Sequence, residues 1–222
     1  RVARDLRVSL TDRCNLRCSY CMPPEGLDWL PTEETLTDAE VVRLVRIGVE
    51  RLGIRQVRFT GGEPLLRRGL EGIIAECSQL RTDEGQTPDL ALTTNALGLA
   101  KRAQGLRDAG LDRVNISLDS LDREHYAAIT RRDRLDDVLE GIEAAARAGL
   151  SPIKVNTLVL RGMNEADLPD LVDYCLDRGI ELRVIEQMPI GPVDTWDRQN
   201  ILTADEILHI MGTRHTLDPA QR

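Results

Sequence analysis

The sequence is poor in aromatic residues and has no long hydrophobic run. Aromatic side chains make up only 3% of the 222 residues, so the core must be built mainly from Leu, Val, Ile and Ala. No segment approaches the roughly 20 apolar residues that a membrane-spanning helix needs, and no secretory leader opens the chain. These absences predict a soluble, cytoplasmic protein.

Extended basic runs are also missing. The chain has 37 acidic and 29 basic residues, a net charge of −8, which argues against a nucleic-acid partner. A length of 222 residues with 41% hydrophobic residues is enough for a substantial core. We find no internal domain boundary and predict one domain over residues 1–222. Because it starts with Arg1 and stops at Arg222, the chain is expected to be part of a longer protein.

Cysteine is scarce, but three of the five cysteines lie within eight residues. Cys14, Cys18 and Cys21 form a C-x3-C-x2-C pattern directly after a short apolar strand. A [4Fe–4S] cluster normally takes four cysteines, so a set of three indicates that another molecule completes the site. A disulfide would leave an odd thiol and imply export. Zinc would need a fourth ligand from outside the pattern, and none of the candidates has the usual spacing: His125, His209, His215, Cys77 and Cys175.

Short apolar runs alternate with amphipathic stretches along the chain, which is typical of a parallel α/β fold. Six βα units could form a doubly wound sheet or part of a β/α barrel. The predicted strands are Leu6–Leu10, Gln56–Thr60, Leu90–Thr93, Arg113–Leu118, Ile153–Leu160 and Leu182–Glu186. Helices are predicted near 38–52, 68–80, 98–109, 135–148, 165–178 and 203–211.

Two unusual segments follow predicted strands. The cysteines come after the first strand, and Thr60-Gly61-Gly62-Glu63-Pro64 ends the second. Ligands gather at the carboxyl ends of parallel strands, and glycines let the backbone approach a ligand closely. By itself the glycine pair is also what a tight turn with a solvated glutamate would show. Beside the cysteines it favours a binding site.

The ordered motifs resemble those of the radical S-adenosylmethionine (SAM) enzymes and, within them, the GTP 3′,8-cyclase family of molybdenum cofactor biosynthesis. The resemblance covers essentially the whole chain. The cysteine pattern identifies only the superfamily, whereas the ordered set points to the cyclases. The motifs are TDRCNLRCSYCMP at 11–23, RFTGGEPLLR at 58–67, LTTN at 92–95, VNISLD at 114–119, KVN at 154–156 and RVIEQMP at 183–189.

The resemblance implies a partial, incomplete TIM-like barrel of six βα units. Cys14, Cys18 and Cys21 would hold three irons of a [4Fe–4S] cluster, and SAM would bind the fourth iron. One electron passed through the cluster would cleave SAM to a 5′-deoxyadenosyl radical. No residue is expected to act as a general acid or base. The SAM contacts implied by the motifs are Tyr20, Gly61, Gly62, Glu63, Ser117 and Met188.

The resemblance also implies GTP contacts at Arg7, Arg58, Thr93 and Lys154. A phosphate-bearing substrate that meets an acidic protein needs local cations, and three of these residues are cations on three predicted strands. The alternative is that each cation pairs with a glutamate or points outward. An electron donor such as flavodoxin or ferredoxin is a further expectation, as is a homodimer.

The chain departs from the cyclase pattern in one important respect. The family carries a second three-cysteine cluster that binds the guanine base, but no second C-x2-C is present here. Cys77 and Cys175 lie in predicted helices as inert core thiols, and Ala96 stands where glycine is more common. We expect the chain alone to bind SAM but to hold GTP poorly, and therefore to cleave SAM without coupled turnover of GTP. Two other functions remain open: a different radical SAM enzyme, for example a peptide-modifying one, and a noncatalytic metal-binding scaffold.

The sequence Arg131-Arg132-Asp133-Arg134 is the densest run of charge in the chain. Such runs usually form solvated connections, and the alternative is a position near the mouth of the barrel.

Overall fold

The computed structural model describes residues 3–188 and 201–218. Its strands are β1 Asp5–Ser9, β2 Gln56–Thr60, β3 Asp89–Thr94, β4 Arg113–Ser117, β5 Ile153–Leu158 and β6 Glu181–Ile185. The α-helices found in these residues are α1 Asp38–Arg51, α2 Leu70–Ser78, α3 Leu99–Asp108, α4 Arg123–Thr130, α5 Leu135–Arg147, α6 Leu168–Asp177 and α7 Ala204–Gly212.

The strands follow one another in a single sheet in the order β1 to β6. The pairs β1–β2, β2–β3, β3–β4 and β5–β6 are parallel, as expected when helices connect successive strands. The predicted α/β class with six βα units is confirmed. Helix α4 was not predicted; it begins after Asp122, whose carboxylate accepts the N–H groups of Glu124 and His125 at 2.9 Å each.

The chain divides into two compact units. Unit 1 comprises Arg1–Asn15, Asp28–Ser117 and Asp136–Ile153, and unit 2 comprises Leu16–Leu27, Leu118–Leu135 and Lys154–Arg222. Each unit is assembled from segments distant in sequence, so the sequence shows no single boundary. The prediction of one radical SAM core domain over 1–222 stays a prediction.

The sheet of unit 1 has two chemically different sides. Side chains alternate along a strand, and residues in register on neighbouring parallel strands share a side. Val57, Phe59, Leu90 and Leu92 are fully buried on the apolar side. The other side, which we call the polar face, includes residues from all four strands of the unit: Arg7, Arg58, Thr93, Asn115 and Ser117.

Helix α1 shows how the apolar side is covered. Thr37 and Glu40 form a capping box at its start, as their spacing predicts. Its inward residues Val41, Val45 and Val49 are almost fully buried. No helix of residues 3–188 and 201–218 is long and apolar enough to cross a membrane.

Candidate cluster and cofactor site

The start of the cysteine motif packs against the Gly-Gly loop within unit 1. The N–H of Gly62 donates to the carbonyl oxygen of Thr11 at 2.7 Å, and the N–H of Glu63 donates to that of Arg13 at 2.7 Å. A Cβ on Gly62 would overlap the carbonyl oxygens of Asp12 and Arg13. The glycines therefore allow two loops at neighbouring strand ends to touch. The sequence suggested close approach to a ligand; the approach that the structure shows is to backbone.

Gly62→Ala should lower the free energy of unfolding by at least about 2 kcal/mol, because the new methyl group meets rigid backbone rather than a flexible side chain. Urea unfolding of the metal-free protein measures the effect. Gly72→Ala in α2 is the matched control, because a Cβ there has nothing within 4 Å. Alanine at this helical position should be neutral or stabilising. Equal effects of the two changes would contradict the packing role of Gly62.

Glu63 is a buried carboxylate that ties this loop to the end of β3. The residue is 1% exposed. Its carboxylate accepts the Leu65 N–H at 2.9 Å, the Thr94 hydroxyl at 2.7 Å and the Asn95 N–H at 2.7 Å. Burial raises the pKa of Glu63, while these hydrogen bonds act in the opposite direction. The predicted contact of Glu63 with SAM stays a prediction, since the hydrogen bonds of its carboxylate in the structure include those from Thr94 and Asn95.

Asn95 extends this network to the first cysteine. Its Nδ2 donates to Asn15 Oδ1 at 2.7 Å and lies 3.9 Å from Cys14 Sγ. A donor at this position stabilises a thiolate, and hydrogen bonds to cluster sulfurs adjust reduction potential. The sequence analysis did not single out Asn95. Its signals were its place at the end of the LTTN motif and its position directly after a strand.

The second part of the cysteine motif belongs to unit 2. The carbonyl oxygen of Cys18 accepts the N–H groups of Cys21 at 2.9 Å and Met22 at 3.1 Å, which closes a tight turn. The Tyr20 hydroxyl donates to Asp119 Oδ2 at 2.8 Å. Burial, followed by the charges of Asp119 and Cys18, raises the pKa of Tyr20 well above its ordinary value. The turn thus places Tyr20 beside a carboxylate that the sequence analysis had not selected.

Asp119 is itself deeply buried, at 6% exposure. Its Oδ1 accepts the Leu158 N–H at 2.9 Å, and its backbone carbonyl accepts Asn164 Nδ2 at 2.6 Å. Burial raises the pKa of Asp119 to about 6, although the hydrogen bonds from Leu158 and Tyr20 lower it. Asp119 therefore links the cysteine segment to the end of β5.

Four of the predicted substrate and cofactor residues share the polar face of unit 1, and two of these four are cations. Arg7 and Arg58 stand in register on β1 and β2. They border a cavity of about 140 Å³ together with Asp5, Leu6, Gln56 and Arg113. Thr93 accepts a hydrogen bond from Asn115 at 3.3 Å on the same face. Ser117 lies at its carboxyl end.

The remaining predicted residues lie in unit 2. Lys154 forms an ion pair with Glu181 across the β5–β6 register, with Nζ 2.6 Å from the carboxylate. This is the glutamate pairing that the sequence left open as an alternative. Met188 is 57% exposed, three residues after β6. The core assignment of Cys77 and Cys175 is confirmed, since they are 0% and 1% exposed. This burial raises the pKa of the two thiols to about 12 and about 11.

The donor set of the motif fits an iron–sulfur cluster. None of the five cysteines, all within the described ranges, is in a disulfide. Cys14 receives an amide donor, and Cys18 and Cys21 flank a tight turn. In residues 3–188 and 201–218, no group of three or more His, Cys, Asp or Glu side chains is already gathered as a metal site. Joint ligation by the three cysteines is therefore a proposal.

A parallel α/β fold with a three-cysteine loop after its first strand defines the class of radical SAM proteins. The sequence model of the Radical SAM superfamily matches residues 8–175, and the chain belongs to that superfamily. The family implies SAM and a [4Fe–4S] cluster as cofactors.

Within the superfamily, the chain is similar to proteins named GTP 3′,8-cyclase. It is 62% identical over 221 residues to the one from Corynebacterium glutamicum and 56% identical over 224 residues to that from Mycobacterium marinum. Both alignments cover 100% of this chain, which spans 59% and 61% of those relatives.

Solved structures show the same fold at low identity. Streptococcus suis SuiB bound to precursor peptide SuiA has a TM-score of 0.67 at 19% identity, covering 85% of this chain and 40% of that one. HydG, a maturase of the [FeFe]-hydrogenase, has a TM-score of 0.66 at 15% identity, covering 93% of this chain and 47% of that one. These likenesses support the predicted incomplete barrel and show the fold alone.

Proposed function

We propose that this chain is the radical SAM core of a GTP 3′,8-cyclase. The enzyme would convert GTP to (8S)-3′,8-cyclo-7,8-dihydroguanosine 5′-triphosphate, the first step of molybdopterin synthesis. The observation that carries the proposal is 62% identity along the whole chain to a relative of that name. A peptide-modifying function has only the fold likeness to SuiB in its favour, at 19% identity.

In this proposal Cys14, Cys18 and Cys21 ligate the cluster and leave one iron for SAM. The bound cluster and SAM would supply a 5′-deoxyadenosyl radical, and the protein would supply position and exclusion of water. Asn95 donates to the first cysteine, and Arg13 and Thr11 are fixed by the Gly-Gly loop. These contacts support a loop whose shape is set before the cofactor binds.

The proposed SAM contacts are carried by strand ends. Ser117 closes the polar face at the end of β4, and Gly61 and Gly62 follow β2. Both glycines are exposed, so backbone of this loop remains accessible to a ligand. Tyr20 is oriented by Asp119. The full proposed set is Tyr20, Gly61, Gly62, Glu63, Ser117 and Met188.

The proposed GTP contacts are Arg7, Arg58, Thr93 and Lys154. The first three share the polar face, where Arg7 and Arg58 are register partners on neighbouring strands. Adjacent cations repel one another, and the triphosphate oxygens of GTP would relieve that repulsion while matching the planar forks. Lys154 would leave its ion pair with Glu181 and bind a phosphate instead. Because Glu181 is exposed, water can solvate its carboxylate after the ion pair breaks.

Reductive cleavage of SAM consumes an electron, so the proposal includes a small electron-transfer partner such as flavodoxin or ferredoxin. Cytoplasmic location follows from the same reaction, whose substrate and reductant are cytoplasmic. Homodimerisation stays a prediction.

Anaerobic iron and sulfide reconstitution, followed by assay of 5′-deoxyadenosine with a chemical reductant and SAM, tests the radical step. We expect 5′-deoxyadenosine from the wild type and none from Cys18→Ser. A noncatalytic scaffold would bind iron and give none from either. Conversion of GTP to the cyclic nucleotide then tests the substrate in the longer protein of which this chain is expected to be part, because the chain alone is expected to hold GTP poorly. SAM cleavage by that longer protein with no dependence of product on GTP would contradict the cyclase assignment.

Arg58→Ala should weaken GTP binding by about tenfold or more, because it removes hydrogen bonds between a cation and phosphate. Binding measured by equilibrium dialysis gives the effect, and SAM cleavage should persist. Lys101→Ala, an exposed cation on α3, is the control and should leave both unchanged. Loss of GTP binding and SAM cleavage together would show that the division between substrate and cofactor residues is wrong.

A further inference from the structure

We propose that Arg131 is a positioning residue that clamps the segment carrying Cys18 and Cys21 and thereby controls how long the protein retains its cluster. The inference rests on the proposed ligation of the cluster by these cysteines. Arg131 Nη1 donates to the carbonyl oxygen of Arg17 at 3.0 Å and to that of Met22 at 2.9 Å. One carbonyl lies directly before Cys18 and the other directly after Cys21, so a single guanidinium closes the six-residue segment.

The same segment is docked on the last turn of α4. The Arg17 N–H donates to the Thr130 carbonyl at 3.1 Å, and the Ser19 N–H donates to the Ile129 carbonyl at 2.8 Å. Carbonyls at the end of a helix have no partner within the helix, so they are available to another segment. Ile129 and Thr130 are buried, which keeps water from competing for these bonds. Arg131, the next residue, adds its side chain to this interface.

The backbone of Arg131 indicates that this arrangement is specific. Its φ is +56°, in the left-handed region that glycine or asparagine usually occupies at a helix end. A non-glycine residue held there is strained and persists when its surroundings hold it in place. The two charge-assisted hydrogen bonds to Arg17 and Met22 provide such a hold. Arg131 therefore differs from a solvated connection, whereas its neighbours Arg132, Asp133 and Arg134 are exposed.

The clamp acts on the segment that contains Cys21, the most exposed of the three motif cysteines. Cys21 is exposed, and Cys18 is only partly buried. Thiolates release metal when their backbone opens, because ligand exchange requires at least one sulfur to move away. Fixing both ends of the segment lowers the population of open conformations without touching a sulfur atom. The expected consequence is slower release of iron rather than altered chemistry.

Release of iron from the reconstituted protein to an excess of bathophenanthroline, followed by absorbance, tests the proposal. We expect Arg131→Met, which loses both donors, to release iron about tenfold faster than the wild type or more. Arg131→Gly should do the same although it removes the left-handed strain. Arg131→Lys, which keeps charge and donors, should recover part of the retention. Arg132→Met is the matched control in the exposed neighbour and should match the wild type.

Urea unfolding of the iron-free proteins separates the clamp from a general effect on the fold. The midpoint of Arg131→Gly should not fall, because relief of strain offsets the lost hydrogen bonds. Iron release at the wild-type rate from both Arg131→Met and Arg131→Gly would overturn the clamp. The clamp would also be overturned if the iron-free variants were destabilised enough to explain their faster iron release by unfolding. Failure of the wild type to take up iron would instead overturn the proposed function and the clamp with it.

Discussion

Glu63→Ala should lower the free energy of unfolding by about 3 kcal/mol or more, because three buried donors lose their acceptor and each unsatisfied donor costs about 1–3 kcal/mol. These donors are the N–H groups of Leu65 and Asn95 and the hydroxyl of Thr94. Urea denaturation of the metal-free protein measures the loss. The same change should loosen Asn95, so iron retention should fall with stability.

Glu63→Gln separates the acceptor from the charge. Glutamine keeps the oxygen that serves Leu65 and Thr94 and places an amide nitrogen against the Asn95 N–H, so it should cost less than alanine, about 1–2 kcal/mol. Burial disfavours the carboxylate, which reduces the penalty for removing its charge. Glu76→Ala, at an exposed position of α2, is the control and should change stability by under about 0.5 kcal/mol. An alanine effect no larger than this control would contradict the buried-network role.

Asp119→Asn should gain stability over the wild type as the pH rises from about 4 to about 7. Burial raises the pKa of Asp119 from 3.8 to about 6, so the folded state favours the protonated carboxyl. The contribution of this group to wild-type stability is therefore complete below pH 3.8 and is lost as the pH rises through about 6. A shift of about two pH units corresponds to about 3 kcal/mol.

Asparagine is a suitable replacement because it can keep both hydrogen bonds of the Asp119 side chain. Its oxygen can accept the Leu158 N–H, and its amide can donate to the Tyr20 hydroxyl, which is both donor and acceptor. Urea unfolding of both proteins at several pH values gives the difference in stability directly. A difference that stays constant with pH would show that Asp119 ionises in the folded protein as it does in the unfolded chain.

Much of the fold could be predicted because local signals agreed with one another. The predicted bounds of β2 match the observed Gln56–Thr60, where buried residues alternate with exposed or partly buried ones. The capping box at Thr37 fixed the start of α1. Helix α4 was not predicted because its eight residues give barely two turns of hydrophobic periodicity. The division into two units was not predicted because each unit joins segments that are distant in sequence.

The site could be predicted only as far as residue type and strand position allowed. Cys14 and the Gly-Gly loop were recognisable because three closely spaced cysteines and a glycine pair each follow a predicted strand. The 3.9 Å approach of Asn95 to Cys14 joins residues 81 positions apart and depends on how β1, β2 and β3 stand in register. The contacts of Arg131 could not be predicted, since the sequence does not distinguish an arginine that donates to two backbone carbonyls from one on the surface.

The alternating sides of the unit 1 sheet have a consequence for how the proposed substrate contacts could be changed by mutation. Arg7, Arg58, Thr93 and Ser117 occupy every second position, while the intervening Val57, Phe59, Leu90 and Leu92 hold the helices. The proposed substrate and cofactor contacts and the core-forming residues are thus separate, alternating positions of the same strands. Randomising only the polar positions should yield libraries in which most members fold, so new substrates can be sought without first restoring the core.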